Sequence, residues 1–242
     1  MVRRSALLQA VPGLAHALTT RRGPDGASLD LGAGASPAAW AWVATQAGLP
    51  GAPVALLSQV HGAGVCVATG PGLQGEGDAV ITRQPGLLLA VRVADCVPVL
   101  VVDLDERGRP VQVAAIHAGW RGLVAGVIPA ALGAMGPTGG RRLAVVGPCI
   151  GADAYEVGAE VVEGLGSRVP LQIFLQPGRR AGRWQADLRA AAAWQLRQGG
   201  VVESELRPDC TFSDPDLHSH RRDGAASGRI AAVVGFVAGT PC

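Results

Sequence analysis

Apolar residues in this chain fall into short, nearly continuous runs broken by Gly, Pro and Asp, with helical spacing in only a few places. SPAAWAWVATQAG predicts a helix with Ser36 as N-cap, Pro37 at the first helical position and Gly48 as the stop. PVALLSQVHG predicts a buried strand whose last residues, Gln59 and His61, emerge into a Gly-rich loop. The densest β signal is GDAVITRQPGLLLAVRVADCVPVLVVDLDERGRPVQVAAIHAGW. It reads as three apolar, β-branched runs separated by the turn material RQPG, ADC and DERGRP. RGLVAGVIPAALGAMG has helical spacing that Gly126 and Pro129 weaken. LAVVGP predicts a further strand, YEVGAEVVEGLG a helix, and GRIAAVVGFV a closing strand. ADLRAAAAWQLRQGG is the strongest helix signal, alanine-rich and closed by Gly199 and Gly200. No repeat, charge run or linker divides the chain, so the pattern predicts one α+β domain with mixed sheets over residues 1–242.

Composition narrows the function classes. Hydrophobic residues make up 48% and charged residues 17%, enough apolar material for a sizeable core and too much for a disordered chain. A net charge of +2 gives no basic field for a nucleic-acid backbone. The chain has no lysine, which excludes Schiff-base chemistry and a phosphate loop ending in lysine. The opening MVRRSALLQAVPGLAHALTT imitates a secretory signal, but Gln9, Pro12 and Gly13 interrupt its apolar stretch. It reads instead as a first strand with a turn, in a cytoplasmic protein. No apolar run approaches the ~18 residues of a membrane span. The five cysteines (Cys66, Cys96, Cys149, Cys210 and Cys242) are widely spread with no CxxC pair, as expected of reduced thiols.

Histidine is scarce, so its placement is informative. His61 and His117 each follow a predicted strand, and Cys96 sits in the ADC turn. Strand ends converge at sheet edges. Two imidazoles and a thiolate there match a Zn²⁺ site that keeps its fourth position open. The same residues are also compatible with a hydrogen-bonded structural histidine and an inert thiol. Asp95 is either a carboxylate partner that orients a ligand imidazole or a simple loop cap. Arg121 follows His117 and Gly119 at a predicted helix start, an arrangement that suits an anion or a plain strand-to-helix turn. The HSHRRDG segment places Arg221 and Arg222 in one loop, as a solvated cluster or a second anion-binding group. Cys149 in GPCIG reads most simply as a small residue in a tight turn, with a nucleophile or auxiliary ligand as the alternative.

LSQVHG, VADCVPVL, AAIHAGWRG, VVGPCIGADAYEVG and DCTFSDPDLHSHRRDGAASGR occur in the order seen in the YfiH/LACC1 family, which the chain resembles over nearly its whole length. This family is also called the multicopper polyphenol oxidase or laccase-like purine nucleoside phosphorylase family. The resemblance implies a single domain of layered mixed β-sheets flanked by helices. It also implies zinc ligands at His61, Cys96 and His117. The implied activities are phosphorolysis of adenosine, inosine, guanosine and methylthioadenosine, deamination of adenosine, or editing of peptidoglycan precursors. The N-terminal segment GPDGAS departs from a tighter family pattern, and His218 stands where an aromatic residue is common.

Four readings follow. A zinc-dependent purine nucleoside enzyme would use the metal to acidify water to a pKa of ~7 for deamination, with Asp95 a candidate general acid/base. Phosphorolysis needs cations for phosphate, for which Arg121, Arg221 and Arg21 are the candidates. A laccase-type copper oxidase also uses two histidines and a cysteine. However, only Met1 and Met135 are available as an axial ligand, and too few histidines remain for a trinuclear cluster. Adventitious copper in the same site is the residual form of that reading. A precursor-editing hydrolase and a non-catalytic binding module are the remaining two.

Overall fold

The computed structural model describes residues 1–238; Cys242, noted above, lies outside them. The strands, in chain order, are β1 Val2–Arg3, β2 Leu14–Thr19, β3 Val54–Ser58, β4 Val65–Val67, β5 Gly72–Glu76, β6 Ala79–Thr82, β7 Leu88–Val93, β8 Val97–Leu104, β9 Pro110–Ala118, β10 Arg142–Val146, β11 Glu156–Val157, β12 Leu175–Pro177, β13 Trp184–Ala186, β14 Glu203–Leu206 and β15 Ile230–Phe236. The helices are α1 Ala6–Gln9, α2 Pro37–Ala47, α3 Trp120–Ala125, α4 Val127–Met135, α5 Ala159–Gly166, α6 Leu171–Phe174, α7 Leu188–Gln198 and α8 His220–Asp223.

Twelve of the strands form two six-stranded mixed sheets, ordered β1-β2-β15-β7-β3-β5 and β14-β10-β8-β9-β6-β4. The sheets face each other across a core that includes Leu57, Leu89, Val91, Leu100, Val102, Val113 and Val145. Helices α3, α4, α5 and α7 cover the outer face of the second sheet, and α2 covers that of the first through Leu88, Ala90 and Val233. This four-layer arrangement is the α+β fold expected from the sequence. Both faces of the central strands are buried, so they read as continuous apolar runs rather than alternating ones.

Local chemistry explains where elements begin and end. The Ser36 hydroxyl accepts the Ala39 N–H at 3.2 Å, and Gly48 closes α2 in the left-handed conformation (φ 93°). The weakened helix after HAGW is two helices, α3 and α4, broken at Gly126 (φ 84°). Pro129 lies in the first turn of α4, where its missing N–H costs nothing. The dense β region is four strands, β6 to β9, because RQPG, ADC and DERGRP each separate a pair. Two further segments depart from expectation. The first strand with a turn is β1, a short α1 capped by Ser5, and β2. The helix expected from Tyr155 begins only at Ala159, because Glu156 and Val157 pair with Gln185 and Trp184.

Candidate metal centre and cavity

His61, Cys96 and His117 lie at strand ends of the two sheets. β8 and β9 are antiparallel partners with Val97 opposite Ala118, so Cys96 and His117 meet at the same end of that pair. One ligand atom from each of the three residues falls within 4.8 Å of the others. The His61 and His117 rings meet edge-on, 4.9 Å between centroids. A Cβ on Gly119 would come within 2.9 Å of the Cys96 Sγ and 3.3 Å of the His61 ring. Only glycine leaves the cluster clear there. Two imidazoles, a thiolate and an open side suit a catalytic rather than a closed structural metal site.

Asp78, which the sequence reading missed, organises this cluster. Its carboxylate is fully buried and binds His117 Nδ1 at 2.8 Å, leaving Nε2 for a metal. The same carboxylate accepts the backbone N–H groups of His61 at 2.9 Å and Gly62 at 2.7 Å. Those bonds hold His61 at φ 61°, a left-handed conformation costly for a side chain this size. Burial pushes the Cys96 thiol up, but hydrogen bonds and charge from His117 and His61 outweigh it and bring the thiol down to about 6. Burial pushes His117 down, yet its bonds to Asp78 and Cys96 raise it to about 9. The cluster therefore favours the thiolate, the form that binds metal. A carboxylate entering an apolar strand after glycine, in GDAVIT, is the only sequence signal for Asp78.

Asp95 does not bond to a ligand imidazole, the first of the two roles considered for it. Its two oxygens accept the Thr211 hydroxyl at 2.5 Å and the Arg221 N–H at 2.6 Å, so it caps loops. The cluster opens into a cavity of about 810 Å³ whose lining includes Asp30, Gln59, Arg92, Trp120, Tyr155 and Arg229. Arg121 and Arg221 also line it, both exposed, with their guanidinium groups over Trp120 at 4.5 Å and Tyr155 at 5.1 Å. Arg21 is not among the lining residues. Its backbone bonds to Asp216 and Leu29 place it on a neighbouring turn. His218 is buried against the Leu29 carbonyl, 2.9 Å away, and lies outside the cavity wall. Cys149 is fully buried, with its thiol pushed up to about 12 by burial, and joins neither cluster nor cavity.

Residues 35–237 match the family described as multi-copper polyphenol oxidoreductase laccase. The chain belongs to this family, the YfiH/LACC1 family. A Mycobacterium tuberculosis (strain H37Rv) relative named purine nucleoside phosphorylase is 39% identical over 197 residues, covering 79% of this chain and 76% of its own. Escherichia coli (strain K12) YfiH, also named purine nucleoside phosphorylase, is 36% identical over 193 residues, 78% of this chain and 76% of its own. A crystal structure of a Neisseria meningitidis protein superposes with a TM-score of 0.79 at 33% identity, covering 98% of this chain and 99% of that one. Despite the plural coppers in the family's description, His61, Cys96 and His117 are the one group of potential ligands this close among the described residues. No described helix is long and apolar enough to cross a membrane.

Proposed function

We propose that the protein is a zinc-dependent purine nucleoside enzyme. It would cleave adenosine, inosine, guanosine or methylthioadenosine with phosphate, and deaminate adenosine. The carrying observation is the three-ligand cluster opening into a cavity that also presents arginines and aromatic rings. Relatives named purine nucleoside phosphorylase support the choice of substrate. Copper fits the same three donors as a replacement metal. The four free cysteines among the described residues suit a reducing compartment, so the proposed location is the cytoplasm.

A metal held by His61, Cys96 and His117 would supply Lewis acidity at the cavity floor. The chain's own groups do the rest. Asp78 holds the His117 ring by its Nδ1 and the His61 turn by its backbone. Trp120 and Tyr155 contribute aromatic surface to the cavity wall against which a purine can pack. Arg121 and Arg221, stacked beside those rings, draw phosphate to the mouth. Asp95, its oxygens already occupied, keeps the Arg221 segment in place.

The test is metal analysis of protein purified without added metal, then adenosine turnover with and without phosphate, products separated by chromatography. We expect about one zinc per chain, with free base formed only when phosphate is present and inosine formed without it. Cys96→Ala should lose metal and turnover together while the domain stays folded, since an open site contributes less to folding than a closed structural one. Full activity in metal-free Cys96→Ala would sink the assignment.

A further inference from the structure

Two arginines that the sequence reading passed over stand out on the cavity wall. Arg92 is on β7 and Arg229 immediately precedes β15, its antiparallel partner. Arg92 lies opposite Ala231, so Arg229 is its diagonal neighbour on the same face. That is the face on which Leu88, Ala90, Ala231 and Val233 pack beneath α2. The two apolar rows thus end, beyond the helix, in two guanidinium groups that line the cavity. Both arginines are half-buried, and neither has a carboxylate partner among the described ion pairs.

Neighbouring cations set into a wall with no carboxylate bonded to either guanidinium are costly unless an anion joins them. Their existing bonds use only part of what they offer. Arg92 Nη2 donates to the Leu57 carbonyl at 2.8 Å, and Arg229 Nη1 to the carbonyls of Ser227 and Gly228 at 2.8 and 3.0 Å. A guanidinium has five N–H donors in a fixed fork, so each retains several for a ligand. Asp30 lines the same wall, but its Oδ1 is taken by the backbone N–H groups of Arg229 and Gly32, both at 2.8 Å. Burial lowers the Arg92 pKa and the Arg229 charge lowers it further, as two facing cations require.

From this placement we infer that Arg92 and Arg229 form the seat for a tetrahedral oxyanion, free orthophosphate. The inference rests on the phosphorolytic reading only for the identity of that anion. Gln59 links the seat to the metal cluster: its amide binds the Arg92 backbone on both sides, N–H and carbonyl, each at 2.8 Å. Gln59 is two residues before His61, and Arg92 four before Cys96. The seat and the cluster thus share the same two strand ends. Arg121 and Arg221, exposed and laid against rings, attract the anion without enclosing it.

Titration of the purified protein with inorganic phosphate by calorimetry, in chloride buffer, tests the seat independently of turnover. Arg229→Ala, whose side chain bonds only to its own loop, should weaken phosphate binding about ten- to hundredfold, the loss of one charged hydrogen-bonding group. Arg229→Lys should recover part of it, and Arg121→Ala should lose less than Arg229→Ala. In turnover, the phosphate KM should rise more than the nucleoside KM. Absence of phosphate binding by the unaltered protein, or unchanged binding by Arg229→Ala, would overturn the seat. Preferential binding and turnover of adenosine monophosphate over adenosine plus phosphate would overturn free orthophosphate as its occupant. Phosphate binding that depends on Arg229 without phosphate-dependent turnover would sink phosphorolysis alone and leave the seat standing.

Discussion

The antiparallel pair β8 and β9 has two ends built on opposite terms. At the far end, Asp103 accepts two hydrogen bonds from Arg142, Nε at 2.6 Å and Nη2 at 2.7 Å, with both side chains buried. Just beyond it, Asp105 is engaged by Arg109 across the turn. At the near end, Cys96 and His117 share their surroundings with Arg92, Arg121, Arg221 and Arg229, none of which has a carboxylate partner among the described ion pairs. Between the two ends, residues 97–102 of β8 and 113–116 of β9 are apolar and buried. One scaffold therefore carries a closed electrostatic account at one end and an open one at the other. Only the open end has something left to offer a ligand.

The sharpest way to break this contrast is to open the closed end. Asp103→Ala leaves Arg142 buried and alone, which should cost about 3–5 kcal/mol in denaturant unfolding. The folded fraction should keep its full metal content, because Asp103 is remote from the cluster along the strand. A loss of metal in proportion to stability would show that the two ends are coupled. A smaller effect is expected from Asp78→Asn, which removes the charge that orients the His117 ring and holds the His61 turn. Competition with a chelator should show metal affinity reduced by about 10- to 100-fold; an unchanged affinity would mean that packing alone holds the ligands. The mildest probe is alkylation of the metal-stripped protein across pH. The Cys96 thiol is brought down to about 6, so it should react at neutral pH and slow as pH falls through that value, when the thiolate takes up its proton. Cys149, pushed up to about 12, should remain inert throughout. Equal labelling of both would contradict the described environments.

The sequence made different parts of this legible for different reasons. Helix α2 is readable because its caps, Ser36 and Gly48, act within a single turn of chain. His61, Cys96 and His117, the proposed ligands, are readable because histidine is rare and each of the three follows or ends an apolar run. Asp78, Arg92 and Arg229 are not, because their meaning lies in strand partners distant in sequence. Arg229 becomes the neighbour of Arg92 only through the β7–β15 pairing. Arg21, by contrast, carries the right chemistry on the wrong turn. Strand β14, the charged segment Glu203–Leu206, escapes a search for apolar runs because it is an edge, paired in parallel with β10 alone.

The position of β15 has a consequence for how the molecule is made. This strand, the last of the described strands in chain order, lies between β2 and β7, which precede it by more than a hundred residues. Until it emerges from the ribosome, the first sheet has a vacant lane at its centre, and the growing chain carries two unpaired inner edges. Sheet closure must therefore wait for the last of the described strands, and Arg229 arrives with the strand that completes it. A nascent chain that has already folded its second sheet, with Cys96 and His117 side by side, still lacks half of the oxyanion seat. On the ribosome, Cys96 and His117 can meet before the cavity they line is complete.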